Sequence, residues 1–156
     1  MDLFIQKSWD GKKLDERDIV HMSFSRSGHG LALRVDAPYY GDEAPDTSPG
    51  SVDGLWNYEV VEWFVVGGGE PTPYLEVELG PHGHHLVLSL LGIRNPVHIH
   101  REMSYDSEIC GDRWTGLAYI PAHWLPTDPV THNGFAIHGL GDKRRYSAAF
   151  PVPGKM

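Results

Sequence analysis

The sequence predicts an all-β protein, a β-sandwich or related barrel of about ten short strands with at most one short helical turn. Three observations carry this expectation. β-favouring runs recur along the whole 156-residue chain, eighteen Gly and twelve Pro are spread between them as turn formers, and no stretch of useful length repeats its apolar residues at the helical period. A chain of this length has room for one real core, so a single domain over residues 1–156 is expected.

A first strand starts at residues 3–5 and ends at the turn Asp10-Gly11, and residues 12–18, KKLDERD, are a charged connection. Residues 19–24 and 31–37 make a hairpin around Ser25-Arg26-Ser27-Gly28-His29-Gly30. In its second strand Leu31, Leu33, Val35 and Ala37 alternate with Ala32, Arg34 and Asp36, the period of a half-buried strand. Residues 38–54 are a long polar loop with four acids, Asp42, Glu43, Asp46 and Asp53. Loops of that length are functional or disordered as a rule, so it is either a disordered acidic segment or an interaction surface.

Residues 55–90 hold the sequence's most distinctive hairpin, LWNYEVVEWFVV and YLEVELGPHGHHLVLSL joined through Gly67-Gly68-Gly69 and a Pro-rich stretch. In 74–79, Leu75, Val77 and Leu79 share one face, which should meet the core, while Tyr74, Glu76 and Glu78 share the other. The strand 58–66 carries Tyr58, Val60, Glu62, Phe64 and Val66 on one face and Glu59, Val61, Trp63 and Val65 on the other. Both faces are apolar with one acid each, the pattern of a central strand covered on both sides. A carboxylate there costs a few kcal/mol, roughly, unless it has a partner.

In 85–91, Leu86, Leu88 and Leu90 point inward. In 97–103, Val97 and Ile99 alternate with His98 and His100, and in 113–120 Trp114, Gly116, Ala118 and Ile120 share a side. The one helical turn falls between the prolines of 121–126, and strands at 134–139 and 145–150 complete the chain.

A net charge of −8 argues against a nucleic-acid backbone or an anionic membrane as partner. One cysteine, Cys110, excludes an internal disulfide framework and fits a reducing compartment. The N-terminus has no basic segment followed by an apolar one, and no apolar run reaches the roughly 18 residues of a membrane span. A soluble, cytoplasmic protein is expected.

Glu76 and Glu78, two apart on one strand, have Cα atoms nearly 7 Å apart, about twice the strand rise, and Glu62 joins them if the hairpin register allows. Such carboxylates suit glycoside hydrolysis, where one acts as acid and another as base or nucleophile. They suit sugar binding equally, by accepting hydroxyl hydrogen bonds, and a solvated outer face gives the same spacing.

Ten histidines are many for this length. His98 and His100 share a strand face where two imidazoles can hold Zn²⁺ or Cu²⁺, with His82, His138 or a glutamate as a third ligand. Neither HExxH nor Cys-x-x-Cys occurs, so no metal and no cofactor is expected, with His98, His100 and His138 as the residual metal candidates. Nucleophile motifs are missing as well. Trp63 and Trp114 read as core, whereas Trp56, beside the acidic loop, reads as a stacking residue. The cluster Asp142-Lys143-Arg144-Arg145 is a charged turn, an anion grip, or the source of a partner for a hairpin glutamate.

The strings SWDG, LWNYEVVEWFVV, YLEVELGPHGHHLVL and FAIHGLGDKRRYSAAFPVP resemble an uncharacterised open-reading-frame family of animals and bacteria, over nearly the whole chain. The resemblance implies that animal members continue past the Pro-Val-Pro segment. More distantly, Glu59-Val60-Val61-Glu62-Trp63-Phe64, the strand bearing Tyr74, Glu76 and Glu78, the segment from Trp114 to Pro121, and Asn133 to Phe135 are similar to family-nine carbohydrate-binding modules. Haem- and sugar-binding sandwiches of that superfamily are similar in the same way. In those modules Trp side chains clamp a sugar end and charged residues hydrogen-bond it. The resemblance therefore implies Trp56, Glu62, Glu76, Glu78 and Asn133 as ligand residues.

Residues and resemblance together lead to a jelly-roll-like antiparallel β-sandwich that binds a small polar ligand, a carbohydrate above all, without catalysis. Glu62, Glu76 and Glu78 accept hydroxyl hydrogen bonds, Trp56 stacks, and His82, His98, Asn133 and Arg144 complete the site. The rival is an enzyme acting on a saccharide or another polar small molecule through the carboxylates or a metal.

Overall fold

The computed structural model describes residues 1–152. The last proline of the Pro-Val-Pro segment, and anything following it, lies outside the described residues. Among the described residues thirteen strands form: β1 Asp2–Ile5, β2 Lys7–Ser8, β3 Val20–Ser27, β4 Gly30–Pro38, β5 Gly50–Ser51, β6 Val60–Gly67, β7 Pro73–Leu79, β8 His84–Leu91, β9 Pro96–Ile99, β10 Ser104–Cys110, β11 Arg113–Pro121, β12 Pro129–His138 and β13 Arg145–Ala148. They make the jelly-roll-like β-sandwich that the sequence predicts.

One sheet runs β1-β3-β4-β11-β10, and the other β2-β13-β12-β6-β7-β8-β5 with β9 on the flank of β8. All pairings are antiparallel except β5 with β8. The expected helical turn is present as the 3-10 turn Ala122–Trp124. Three more such turns, Glu16–Asp18, Leu55–Asn57 and Gly141–Lys143, are three residues each, too short to leave a periodic trace.

The core lies between the sheets and follows the period of two. Met22, Leu33, Val35, Trp114, Ala118 and Ile120 meet Val61, Trp63, Val65, Leu75, Val77, Leu79 and Val87. The Trp63 indole N–H donates to His132 Nδ1 at 3.0 Å, which satisfies the one polar atom that this ring brings into the core. β6 is buried on both faces, as its pattern predicts: Val60 and Glu62 are as inaccessible as Val61 and Trp63.

β8 corrects one expectation. Leu86, Leu88 and Leu90 pair with Glu78, Glu76 and Tyr74, so they lie on the outer face, and Val87 enters the core. The outer face has its own apolar cluster of Leu55, Val60 and Leu86, packed with Val52, Tyr58, Leu88, Ile99 and Ile137. Two apolar faces give the same alternation, so periodicity cannot say which one meets the other sheet. β10, which the sequence reading omits, is an edge strand of mostly exposed SYDSEIC and carries no apolar alternation.

The acidic segment 38–54 folds back onto the sandwich, which corrects the disordered reading. The Glu59 carboxylate accepts from the backbone N–H groups of Tyr40 at 2.9 Å and Asp42 at 3.1 Å. Asp42 in turn accepts from the N–H of Gly139, and His84 Nε2 meets the Thr47 carbonyl at 2.9 Å. Gly50 and Ser51 then add β5 beside β8, and Arg101 pairs with Asp53 at 3.1 Å. No helix among the described residues is long and apolar enough to cross a membrane.

Glu59 is therefore the anchor of this segment. Glu59→Ala is expected to cost about 1–3 kcal/mol through the two donors left without their acceptor. It should raise hydrogen exchange in 38–54 while the sheets stay protected. Unchanged exchange in 38–54 would show that other contacts hold the segment.

Candidate functional site

The register of β6 and β7 places Glu62 directly opposite Glu78, and Phe64 opposite Glu76. This settles the open question of the hairpin: all three acids share the outer face. Each offers a carboxylate oxygen within 4.8 Å of the others. Like charges directly opposite one another destabilise a sheet, so this arrangement has a cost that the packing elsewhere must offset.

The surroundings heighten that cost. Glu78 is fully buried (0% exposed) and Glu62 is 5% exposed. Neither oxygen of Glu78 is hydrogen-bonded by a group outside the cluster; the polar groups that meet it are the carboxyls of Glu62 and Glu76. Among the described residues, no Lys, Arg or His nitrogen lies within ion-pair distance of any of the three. Glu76 is only half-buried and opens the cluster toward solvent.

Aromatic side chains frame the acids on the β12 side. Phe135 of β12 is the cross-strand neighbour of Glu62. Phe64 lies 5.5 Å from Phe135, edge to face, and 6.3 Å from Tyr74. Trp9 stands 5.5 Å from Phe135 and 6.4 Å from Tyr146, and its buried indole N–H has no partner. The sequence reading does not assign Trp9, Phe135 or Tyr146 to the site. The signal available was the string SWDG, which carries no strand pattern of its own.

Trp56, 47% exposed, sits in the turn Leu55–Asn57 beside this face, because Leu55 packs on Val60 and Leu86. Arg144 holds the turn down. Its guanidinium donates to the carbonyls of Trp56, Asn57, Tyr58 and Gly139, and lies 5.9 Å from the centre of the Tyr146 ring. Its hydrogen bonds go to the main chain, and it reaches Glu62 only through its charge.

The other sequence candidates lie apart from the acids. Asn133 pairs with Phe64, in one row with Glu76, but its amide clamps Phe150 by donating to the carbonyl at 2.8 Å and accepting from the N–H at 3.0 Å. His82 lies in the β7–β8 turn, edge-on to Tyr39 and beside residues 42–45. His98 pairs with Ser89, which alternates with Leu88 and Leu90, so it faces away from the acids. There it touches His100, whose Nε2 is 2.7 Å from Ser89 Oγ and whose ring stacks on Trp124. His138 stacks on Tyr40 at the far side of the sheet, with β6, β7 and β8 between it and β9. Of the histidine candidates for a metal, His98 and His100 come together and His138 lies apart from them.

No family model matches the chain. It is 41% identical over 155 residues to the mouse UPF0462 protein C4orf33 homolog, spanning 98% of this chain and 80% of that protein. The human UPF0462 protein C4orf33 is 39% identical over 155 residues, spanning 98% and 77%. Among solved structures, a candidate carbohydrate-binding protein from Bacteroides uniformis superposes with a TM-score of 0.69 at 13% identity, covering 97% of this chain and 78% of that one. At that identity the likeness is one of fold.

Burial holds all three carboxyls above the usual carboxylate range. For Glu78 the charges of Glu62 and Glu76 add to it, and Glu62 is pushed up to about 7. A carboxyl with a raised pKa binds more protons folded than unfolded. Its contribution to stability is complete below the unfolded value near 4.5 and is lost as pH rises through the folded value. The protein should therefore lose stability as pH rises from about 5, through about 7 for Glu62 and further still for Glu78. Glu78→Gln, which removes the carboxyl held furthest above its unfolded value, is expected to flatten that slope and raise Tm at the alkaline end, read by thermal unfolding in chelator. A slope equal to that of the unsubstituted protein would place the pH dependence elsewhere.

Proposed function

The chain belongs to the UPF0462 family, and we propose that it is a non-catalytic binding protein for a small polar ligand, with carbohydrate as the ligand class. One observation carries the reading: three carboxylates converge on a sheet face framed by aromatic rings. A saccharide presents vicinal hydroxyls that carboxylates bind as acceptors, and C–H faces that stack on aromatic rings. The shared fold of the Bacteroides uniformis protein, itself named as a candidate carbohydrate binder, supports the same class.

In this reading Glu76 meets the ligand first, since it is the accessible acid. Glu62 and Glu78 lie behind it, Trp56 stacks from the turn above, and Arg144 positions that turn. Trp9, whose indole N–H is free, adds a donor on the aromatic side. Binding is favoured over hydrolysis for a geometric reason. A glycosidase pair must flank the scissile bond, and Glu62 and Glu78 abut each other in the sheet with almost no exposure.

Titration of the protein with a panel of mono- and oligosaccharides, followed by amide chemical shifts, tests this. At least one sugar should shift resonances of residues around Glu76 and Trp56. Glu76→Gln should weaken that complex about tenfold or more, the worth of a charge-assisted hydrogen bond. Silence across the panel at millimolar sugar overturns the reading, and turnover of a bound sugar would convert it to an enzyme.

A further inference from the structure

We propose that Glu62, Glu76 and Glu78 bind a hard divalent cation of the Ca²⁺ class, and that the ligand's hydroxyls complete its coordination. The second half rests on the binding function proposed above; the first half does not.

Two separate observations point to a cation. The first is convergence. Three oxygens no more than 4.8 Å apart lie within about 2.8 Å of a common centre, close to Ca²⁺–oxygen bond lengths of about 2.3–2.6 Å. Small side-chain rotations close the remainder, with the backbone fixed by the β6–β7 ladder. The second is the state of Glu78. It is fully buried, aimed into the cluster, and its oxygens have no partner besides the carboxyls of Glu62 and Glu76. A buried carboxylate without a counter-charge is among the costliest arrangements in a protein, and nothing cationic among the described residues reaches it.

The donor set selects the class of ion. Three carboxylates and no imidazole or thiolate suit Ca²⁺, Mg²⁺ or Mn²⁺ and do not suit Zn²⁺ or Cu⁺. Ca²⁺ takes six to eight oxygens as a rule, so three glutamates leave positions to be filled. Glu76 is the acid that reaches solvent, so the free positions face the open side, where paired sugar hydroxyls can enter. Trp56 and the Phe64–Phe135–Trp9 row lie along that same face.

The test starts from metal-free protein prepared by chelator dialysis. Calorimetric titration with CaCl₂, and with MnCl₂ followed by electron paramagnetic resonance, should find one ion per chain and a raised Tm. Glu78→Gln and, as the milder change at a half-exposed position, Glu76→Gln should each weaken ion binding about tenfold or more. Circular dichroism of both variants separates loss of the site from loss of the fold. No ion uptake at millimolar metal, or uptake indifferent to both substitutions, overturns the site.

Repeating the sugar panel with Ca²⁺ and with chelator separates the two proposals. Sugar binding only in Ca²⁺ supports the whole inference. Ion binding with no sugar bound in either condition supports the cation site and overturns the binding function. Sugar binding of equal strength in chelator overturns the cation's part in it and leaves the function intact.

Discussion

The direct pairing of Glu62 with Glu78 at the centre of the larger sheet is the constraint on which the rest of this structure turns. It is a consequence of the core. Val61, Trp63 and Val65 on β6, and Leu75, Val77 and Leu79 on β7, must face the other sheet. A slip of one residue would send the whole set to the outer face and bury the acids between the sheets, which fixes the register. Once it is fixed, the acids have nowhere to go but against each other. The energy of packing one face imposes the electrostatics of the other.

The chain then organises its outer face around that imposition. Residues 50–58 fold over the sheet and cover Val60 and Leu86 through Leu55, while β5 extends the sheet edge. Arg144 ties the Trp56–Tyr58 carbonyls to Gly139, and Glu59 ties Tyr40 and Asp42. Both are charged side chains near the hairpin whose hydrogen bonds go to main-chain groups. The cationic side chain best placed to neutralise the acids is thus engaged in holding the turn above them.

Much of this was legible in the sequence, and the limits follow from what periodicity can encode. The period of two assigned Leu75, Val77 and Leu79 to the core and put Glu76 with Glu78. The apolar character of both faces of 58–66 announced a strand covered on each side. Whether Glu62 met Glu78 depended on register, which the long Gly/Pro connection left open. Leu86, Leu88 and Leu90 were misplaced because they are apolar on a face that is also buried. His98 and His100 lie together as expected, yet on the face turned away from the acids, and no local pattern reports that. Trp9 reaches the site only through the pairing of β2 with β13, a contact between chain positions nearly 140 residues apart, roughly, whose strand partners show no common pattern.

The chemistry of the cluster sharpens what the site needs from its acids. Hydroxyl groups require acceptors, and a glutamine carbonyl is an acceptor of nearly the same reach. Three glutamines on these positions would offer hydrogen bonds to a sugar without repulsion between Glu62 and Glu78. They would also escape most of the penalty of burying Glu78 unpartnered. What glutamine cannot supply is negative charge. Acceptor capacity alone therefore does not account for the arrangement, because the cheaper side chain provides it. The charge is the quantity that distinguishes glutamate here, and charge concentrated in a buried, oxygen-only cluster is met by a proton or by a cation. Protonation of all three relieves the repulsion but leaves a neutral patch with no more affinity for a polyol than the amides would have. A divalent ion would relieve it and leave the same oxygens as a scaffold with open positions for a pair of hydroxyls, which is why the proposed cation accounts for glutamate where glutamine would not.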